Sequence, residues 1–138
     1  MAFDGPTPFD GDPVYMYLDE VEWDQPDDVV RAIREAFEQT REEPYVEVDE
    51  GVWAWAAAEM VAIALGRPPK EAPPEPWGPA AERLGKSRAE QLKTAALAAL
   101  EVVVDDERSE IAELWNERDD APQFAEHVAP LRARLGRR

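Results

Sequence analysis

Apolar residues recur at intervals of three and four along most of the chain, and no useful length of it alternates apolar and polar positions with a period of two. The first spacing places apolar side chains on one face of an α-helix, whereas alternation is typical of a β-strand. The sequence therefore predicts an all-α protein, a single domain over residues 1–138 that contains a bundle of about six helices.

Two amphipathic helices are predicted in the first third of the chain. The first begins at Asp12, a favoured N-cap residue, with Pro13 as its first helical residue, and the second begins at Pro26 with acids in its first turn. Each has one apolar face and one charged face. Both are therefore expected at the surface of the bundle.

The third predicted helix, about residues 49–65, is apolar on nearly every side, and Gly66, Pro68 and Pro69 end it. A helix of this kind belongs at the centre of a bundle. Trp53 and Trp55 lie two positions apart and cannot share a helix face. We expect one to point to the core and the other to a neighbouring helix, the Pro-rich loop or a partner, and we favour packing of both in the core in different directions.

Residues 66–86 are predicted to form a Pro-rich loop, because six of the 13 prolines fall between residues 68 and 79. The segment is either an ordered wrapping loop or a mobile linker. Trp77 favours the ordered loop, since an exposed indole would leave a large apolar area in water.

Three further helices are predicted in the second half of the chain. Ser87 and Glu90 form a capping-box pattern that opens a long Ala-rich helix, Ser109 is expected to cap the next helix, and the last begins near Pro122. Pro130 is expected to kink this last helix.

Few residues are suited to catalysis. The chain has no Cys, one His, two Ser and three Thr, which excludes disulfides, Cys-rich metal sites, thiol nucleophiles and sites with two imidazoles. His127 could form a triad only with Ser87 or Ser109, which already have capping roles, and it is expected at the surface. We therefore expect no catalytic residues and no cofactor.

The net charge of −16 is concentrated in the first 50 residues, where 16 acids face three bases. This charge would repel a phosphate backbone, so we expect no nucleic-acid binding, and it favours a basic protein partner. The alternative is that the acids only keep the protein soluble.

The N-terminus lacks the basic and apolar regions of a secretory signal, and the longest apolar stretch is too short to span a membrane. The sequence thus predicts a cytoplasmic protein without membrane association. Its oligomeric state stays open.

Glu59 is the only charged residue in the central helix between Gly51 and Gly66. A buried carboxylate needs a partner, so Glu59 is either a catalytic or metal-binding group or a structural anchor. We favour the anchor: Glu59 would hold the N-terminal loop that contains Asp10 and Asp12, or pair with an Arg such as Arg67.

Asp4, Asp10 and Asp12 could offer oxygen ligands to a divalent cation, but their spacing matches no EF-hand. Asp12 is also needed as a helix cap. No metal site is therefore expected.

Several segments together resemble one family, the bacterial domain of unknown function 4259 family. The segments are GPTPFDGD (5–12), AAEMVA (57–62), LGRPP (65–69), SEIAELW (109–115) and LRARL (131–135). The resemblance extends from end to end of the chain. It implies a small helical domain and assigns no activity, substrate or catalytic residue.

The leading hypothesis is a non-enzymatic protein-binding module, such as an inhibitor or immunity-type protein, that offers an acidic helical face to a basic partner. One alternative is a metal-assisted hydrolase centred on Glu59 with Asp10 and Asp12. The other is a structural, homo-oligomeric helical module. The predicted binding face comprises Asp19, Glu20, Glu22, Asp24, Asp27, Asp28, Glu35 and Glu38.

Overall fold

A computed structural model describes residues 8–9, 21–70, 73, 77–118 and 122–136 of the chain. Within these ranges the protein is all-helical, with five helices and no β-strand, which confirms the predicted fold class. The helices are α1 (Pro26–Glu42), α2 (Val48–Ala64), α3 (Trp77–Val103), α4 (Glu110–Asn116) and α5 (Phe124–Gly136). The helix predicted from Asp12 lies outside the described residues, so the count of six is not confirmed.

The central helix is α2, as predicted. All its residues from Gly51 to Ala64 are buried, and the other helices surround it. It ends in a Schellman motif, in which the Gly66 and Arg67 amides donate to the carbonyls of Ile63 and Ala62 at 2.9 and 3.0 Å. Gly66 has φ +86, a conformation that L side chains rarely adopt, which explains the glycine at this position.

The Pro-rich loop predicted over residues 66–86 is shorter than expected, because α3 already begins at Trp77. Pro79 is tolerated there, since the amides of a first turn have no partner within the helix. The buried residues of this turn and the next follow a helical spacing and seal it to the core: Trp77, Ala80, Ala81 and Leu84. Trp77 thus lies in the first turn of α3 rather than in the ordered loop that the sequence favoured, and its side chain is fully buried.

Neither predicted serine cap forms its hydrogen bond. The break in α3 lies at Gly85 (φ 80, ψ 159), so Ser87 stands inside the following turn rather than at its cap. Ser109 does occupy the N-cap position of α4, but its hydroxyl makes no cap bond, and its buried Oγ has no partner among the described residues.

The helices α1 and the second half of α3 run side by side in the same direction. At their beginnings Arg88 Nη2 lies 2.7 Å from Asp27 Oδ1. Beyond their ends, Val46 and Ser109 form an isolated parallel bridge, in which the Val46 amide donates to the Arg108 carbonyl at 2.8 Å. Because the chain reverses between α1 and α2, the central helix is antiparallel to both.

Two aromatic clusters flank the central helix. Trp53 packs with Trp23 and Trp77, and Phe9 packs against Trp77, whereas Trp55 packs with Phe124 and His127. The expectation that the two tryptophans enter the core in different directions is confirmed.

His127 is not the surface residue that the sequence predicted. Its ring is partly buried and stacks on the Trp115 ring, with 4.6 Å between the centroids. The cause is the turn before α5, where Asn116 Oδ1 accepts the Phe124 amide at 2.8 Å and Trp115 Nε1 donates to the Pro122 carbonyl at 3.0 Å.

None of the described helices combines the length and the apolarity that crossing a bilayer requires.

Candidate functional site

Glu59 lies on the central helix, is only 6% exposed and forms an ion pair with Arg134 of α5. A buried carboxylate needs a partner, and Arg67 is the arginine that the sequence suggests for this role. The partner is instead an Arg 75 positions along the chain. The aliphatic part of a guanidinium side chain can lie along apolar surface while its charged end reaches a buried acid.

Arg67 supports the pair through its backbone. Nε and Nη2 of Arg134 donate to the Arg67 carbonyl at 2.9 and 2.8 Å, and Nη1 of Arg67 donates to the Arg134 carbonyl at 2.7 Å. The three residues thus join α2, the turn after it and α5 in one hydrogen-bonded group. This group attaches α5 to the core, and the Arg134 guanidinium compensates the charge of the Glu59 carboxylate.

The other half of the predicted anchor, Asp10 and Asp12, lies outside the described residues, as does Asp4. The attachment of the N-terminal loop to Glu59 therefore stays a prediction. Within the described ranges no three His or acidic side chains come together in a way that could hold a metal ion.

The predicted acidic binding face is only partly acidic where the structure describes it. Asp19 and Glu20 lie outside the described residues, and Glu22, Asp24 and Glu38 are exposed. Asp28 and Glu35 both pair with Arg31, and Asp27 pairs with Arg88. The α1 surface is therefore a mixture of charges, and three of its carboxylates are paired with two arginines.

A denser group of acids lies at the beginning of α2 and on α4. We call it the acidic end, and it comprises Glu43, Glu47, Asp49, Glu50, Glu110 and Glu113. The Glu110 carboxylate accepts the Val48 amide at 3.0 Å and so caps α2, which brings the two segments together. Within the described residues, none of the six carboxylates forms an ion pair with Lys or Arg.

Two groups at the acidic end have raised pKa values, Glu50 and Tyr45. Burial, and then the charges of Glu43 and Glu47, raise the pKa of the Glu50 carboxyl. The hydrogen bond that the Tyr45 hydroxyl donates to Glu113, assisted by partial burial, raises the pKa of Tyr45 to about 12. Both shifts oppose adding further negative charge here, so the acidic end is a surface that favours a cation.

The acidic end was not predicted from the sequence, because its two parts are some sixty positions apart. One signal was present: residues 42–50 hold five acids and no Lys or Arg. The acids at 110 and 113, by contrast, resemble ordinary first-turn acids of a helix until the Val46–Ser109 bridge places α4 beside α2.

Comparison with known proteins gives one result. No curated protein and no solved structure matches the chain significantly. A family model, described as a domain of unknown function (DUF4259), matches residues 4–127. This match covers most of the chain and agrees with the resemblance carried by its sequence segments, so the chain belongs to the DUF4259 family.

Proposed function

We propose that this protein is a non-enzymatic binding module that recognises a basic protein, and that its acidic end is the recognition surface. The observation that carries the proposal is the accumulation of six carboxylates without a basic partner among the described residues. The cost of holding these like charges together is relieved when a cationic surface docks. A basic partner of the inhibited-toxin type has the required charge.

The chemistry of the remaining acids supports this choice over catalysis. Glu59, the residue on which a hydrolase would depend, has its carboxylate engaged by Arg134. A buried carboxylate whose oxygen is engaged by a guanidinium is poorly placed to bind a metal ion or a substrate.

The test uses a defined basic probe, a lysine- and arginine-rich helical peptide whose binding is followed by fluorescence anisotropy at low and high salt. The acidic-end variant carries Glu43→Gln, Glu47→Gln and Glu50→Gln. We expect it to bind the probe at least about tenfold more weakly than the unmodified protein, a loss of about 1.4 kcal/mol. Binding by the unmodified protein should weaken as salt is added, because screening reduces steering and attraction.

A matched control removes the same amount of charge elsewhere, with Glu22→Gln, Asp24→Asn and Glu35→Gln on the α1 side. We expect this control to lose much less affinity. Equal losses in both triple variants would show that the probe responds only to net charge and would overturn the assignment to the acidic end. Native co-purification at low and high salt then identifies the physiological partner, and only proteins released by salt are consistent with the proposal.

A further inference from the structure

A groove of about 360 Å³ runs between α1 and α3, and none of the six acidic-end carboxylates is among its lining residues. Its volume lies in the range of small-molecule sites. The groove has an apolar floor, formed by Phe37, Leu92, Ala95, Ala98, Ala99 and Val102. On α3 these residues recur every three or four positions, so they form one continuous stripe along the helix.

Small side chains keep this groove open. Ala95 and Ala98 are exposed, whereas Phe37 and Ala99 beneath them are almost fully buried. A larger residue at either alanine would fill the space between the helices. The apolar lining therefore follows a single stripe of α3, which suits a chain-like ligand better than a flat ring system.

Three arginines line the groove, Arg34, Arg41 and Arg108. None of them forms an ion pair or a side-chain hydrogen bond within the described part of the chain. The protein has 31 acids and 15 bases, so most arginines have acids available to pair with, and three arginines without an ion pair around one groove are unexpected. Glu38 is the only carboxylate among the lining residues, so the groove carries a local positive charge.

The topology places two of these arginines at the same end of the groove. Arg41 lies in the last turn of α1, and Arg108 follows the end of α3. These helices run in the same direction, and the segments that follow them are joined by the Val46–Ser109 bridge. The groove thus offers guanidinium groups at one end and an apolar strip leading away from them.

We propose that this groove binds an amphipathic organic anion, a free carboxylate with an unbranched aliphatic chain. The carboxylate lies between Arg41 and Arg108, where guanidinium groups can donate paired hydrogen bonds to it. The aliphatic chain lies along Ala95 and Ala98. None of the six acidic-end carboxylates lines the groove, and salt screens the charges of acids that lie more than about 8 Å from it at physiological ionic strength.

The test measures binding of decanoate below its micelle concentration by titration calorimetry, beside decanol and decyltrimethylammonium as neutral and cationic analogues. We expect saturable binding of decanoate and at least about tenfold weaker binding of both analogues. Equal binding of decanol would show that the groove recognises only apolar area and would overturn the proposal. So would binding to anionic lipid vesicles, or to an acidic helical peptide, without binding of decanoate.

Variants locate the site. Arg41→Gln with Arg108→Gln should weaken decanoate binding at least about tenfold. The control, Lys70→Gln with Lys86→Gln, removes two exposed positive charges outside the groove and should leave binding unchanged. Ala98→Trp fills the floor from an exposed position and should abolish binding while the helical circular dichroism is retained. Equal affinity in the two double variants, or full binding by Ala98→Trp, would place the ligand elsewhere.

Discussion

At the scale of single residues, the most consequential charge in the molecule is the buried carboxylate of Glu59. Its helix is otherwise apolar, and an uncompensated charge at that depth would cost several kcal/mol. Arg134 compensates it and also donates to the Arg67 carbonyl. The Arg134 guanidinium therefore pairs with a buried carboxylate and also donates hydrogen bonds to a backbone carbonyl in the turn after α2.

This arrangement predicts an asymmetric response to mutation. Arg134→Met leaves Glu59 charged and unpaired, and we expect it to lower the free energy of unfolding by about 3–5 kcal/mol. Glu59→Met with Arg134→Met removes both charges and should be less destabilised than Arg134→Met alone. Urea unfolding followed by tryptophan fluorescence measures both. A double variant as unstable as the sum of the two single variants would contradict the role of the pair.

Glu50 gives a second prediction. Its pKa is raised by folding, whereas the pKa of an acid paired with a base is usually lowered, so its ionisation destabilises the fold instead of stabilising it. Because the pKa of folded Glu50 is raised above 4.5, the folded state holds this proton more readily than the unfolded state. Ionised Glu50 therefore costs stability above its folded pKa, and the cost disappears as pH falls through that pKa toward 4.5. We expect Glu50→Gln to raise the free energy of unfolding at neutral pH by about 0.5 kcal/mol.

The measurement is the difference in unfolding free energy between Glu50→Gln and the unmodified protein at several pH values. The gain should shrink as pH is lowered toward 4.5. Glu35→Gln is the control, because the Glu35 carboxylate lies 3.4 Å from Arg31 and its removal relieves no like-charge crowding. A gain for Glu50→Gln that is independent of pH would contradict the electrostatic origin.

At the scale of the elements, local signals predicted the helices well where glycine and proline mark an end. The centre and limits of α2 follow from its apolar composition and from Gly66, which the structure places in the expected left-handed conformation. The start of α3 was missed because six prolines suggested a loop. Tertiary burial of Trp77 and Leu84 outweighs that local signal, and Pro79 falls in the first turn, where it costs little.

Gly85 permits the change of direction within α3. Its φ of 80 and ψ of 159 lie in a region that only glycine enters readily, and nothing lies within 4 Å of a Cβ added there. We therefore expect Gly85→Ala to lower the free energy of unfolding by about 1–3 kcal/mol through backbone strain alone.

Gly136→Ala is the matched control for this prediction. It also meets no atom within 4 Å, but its φ is not positive, so its effect should stay within about 0.5 kcal/mol. Chemical denaturation of the two variants makes the comparison. Equal effects would mean that the backbone conformation at Gly85 carries no strain for alanine.

At the scale of the whole molecule, the fold class could be predicted from periodicity, whereas the candidate site could not. Glu59 and Arg134 belong to helices that are 75 positions apart in the sequence. Neither residue's local sequence indicates which residue is its partner. The acidic end likewise requires the Val46–Ser109 bridge, which no periodic pattern marks. Charge totals indicated that the first third is acidic, but only the packing of α4 beside α2 shows where that charge accumulates.

The net charge of −16 makes the stability of the whole fold depend on salt. Folding brings the acids of the acidic end close together, and the unfolded chain separates them. Added sodium chloride screens this repulsion more in the folded state, so the thermal midpoint should rise between low ionic strength and about 0.5 M salt. The few exposed ion pairs weaken the trend only slightly, since each contributes about 1 kcal/mol or less.

The acidic-end variant with Glu43→Gln, Glu47→Gln and Glu50→Gln separates this effect from a general salt effect. It should unfold at a higher temperature than the unmodified protein in low salt and respond less to added salt, because part of the repulsion has been removed. The α1-side control with Glu22→Gln, Asp24→Asn and Glu35→Gln has the same net charge and should keep the steeper response. If both triple variants lost salt dependence equally, the repulsion would be spread over the surface, and the acidic end would have no special electrostatic cost for a partner to relieve.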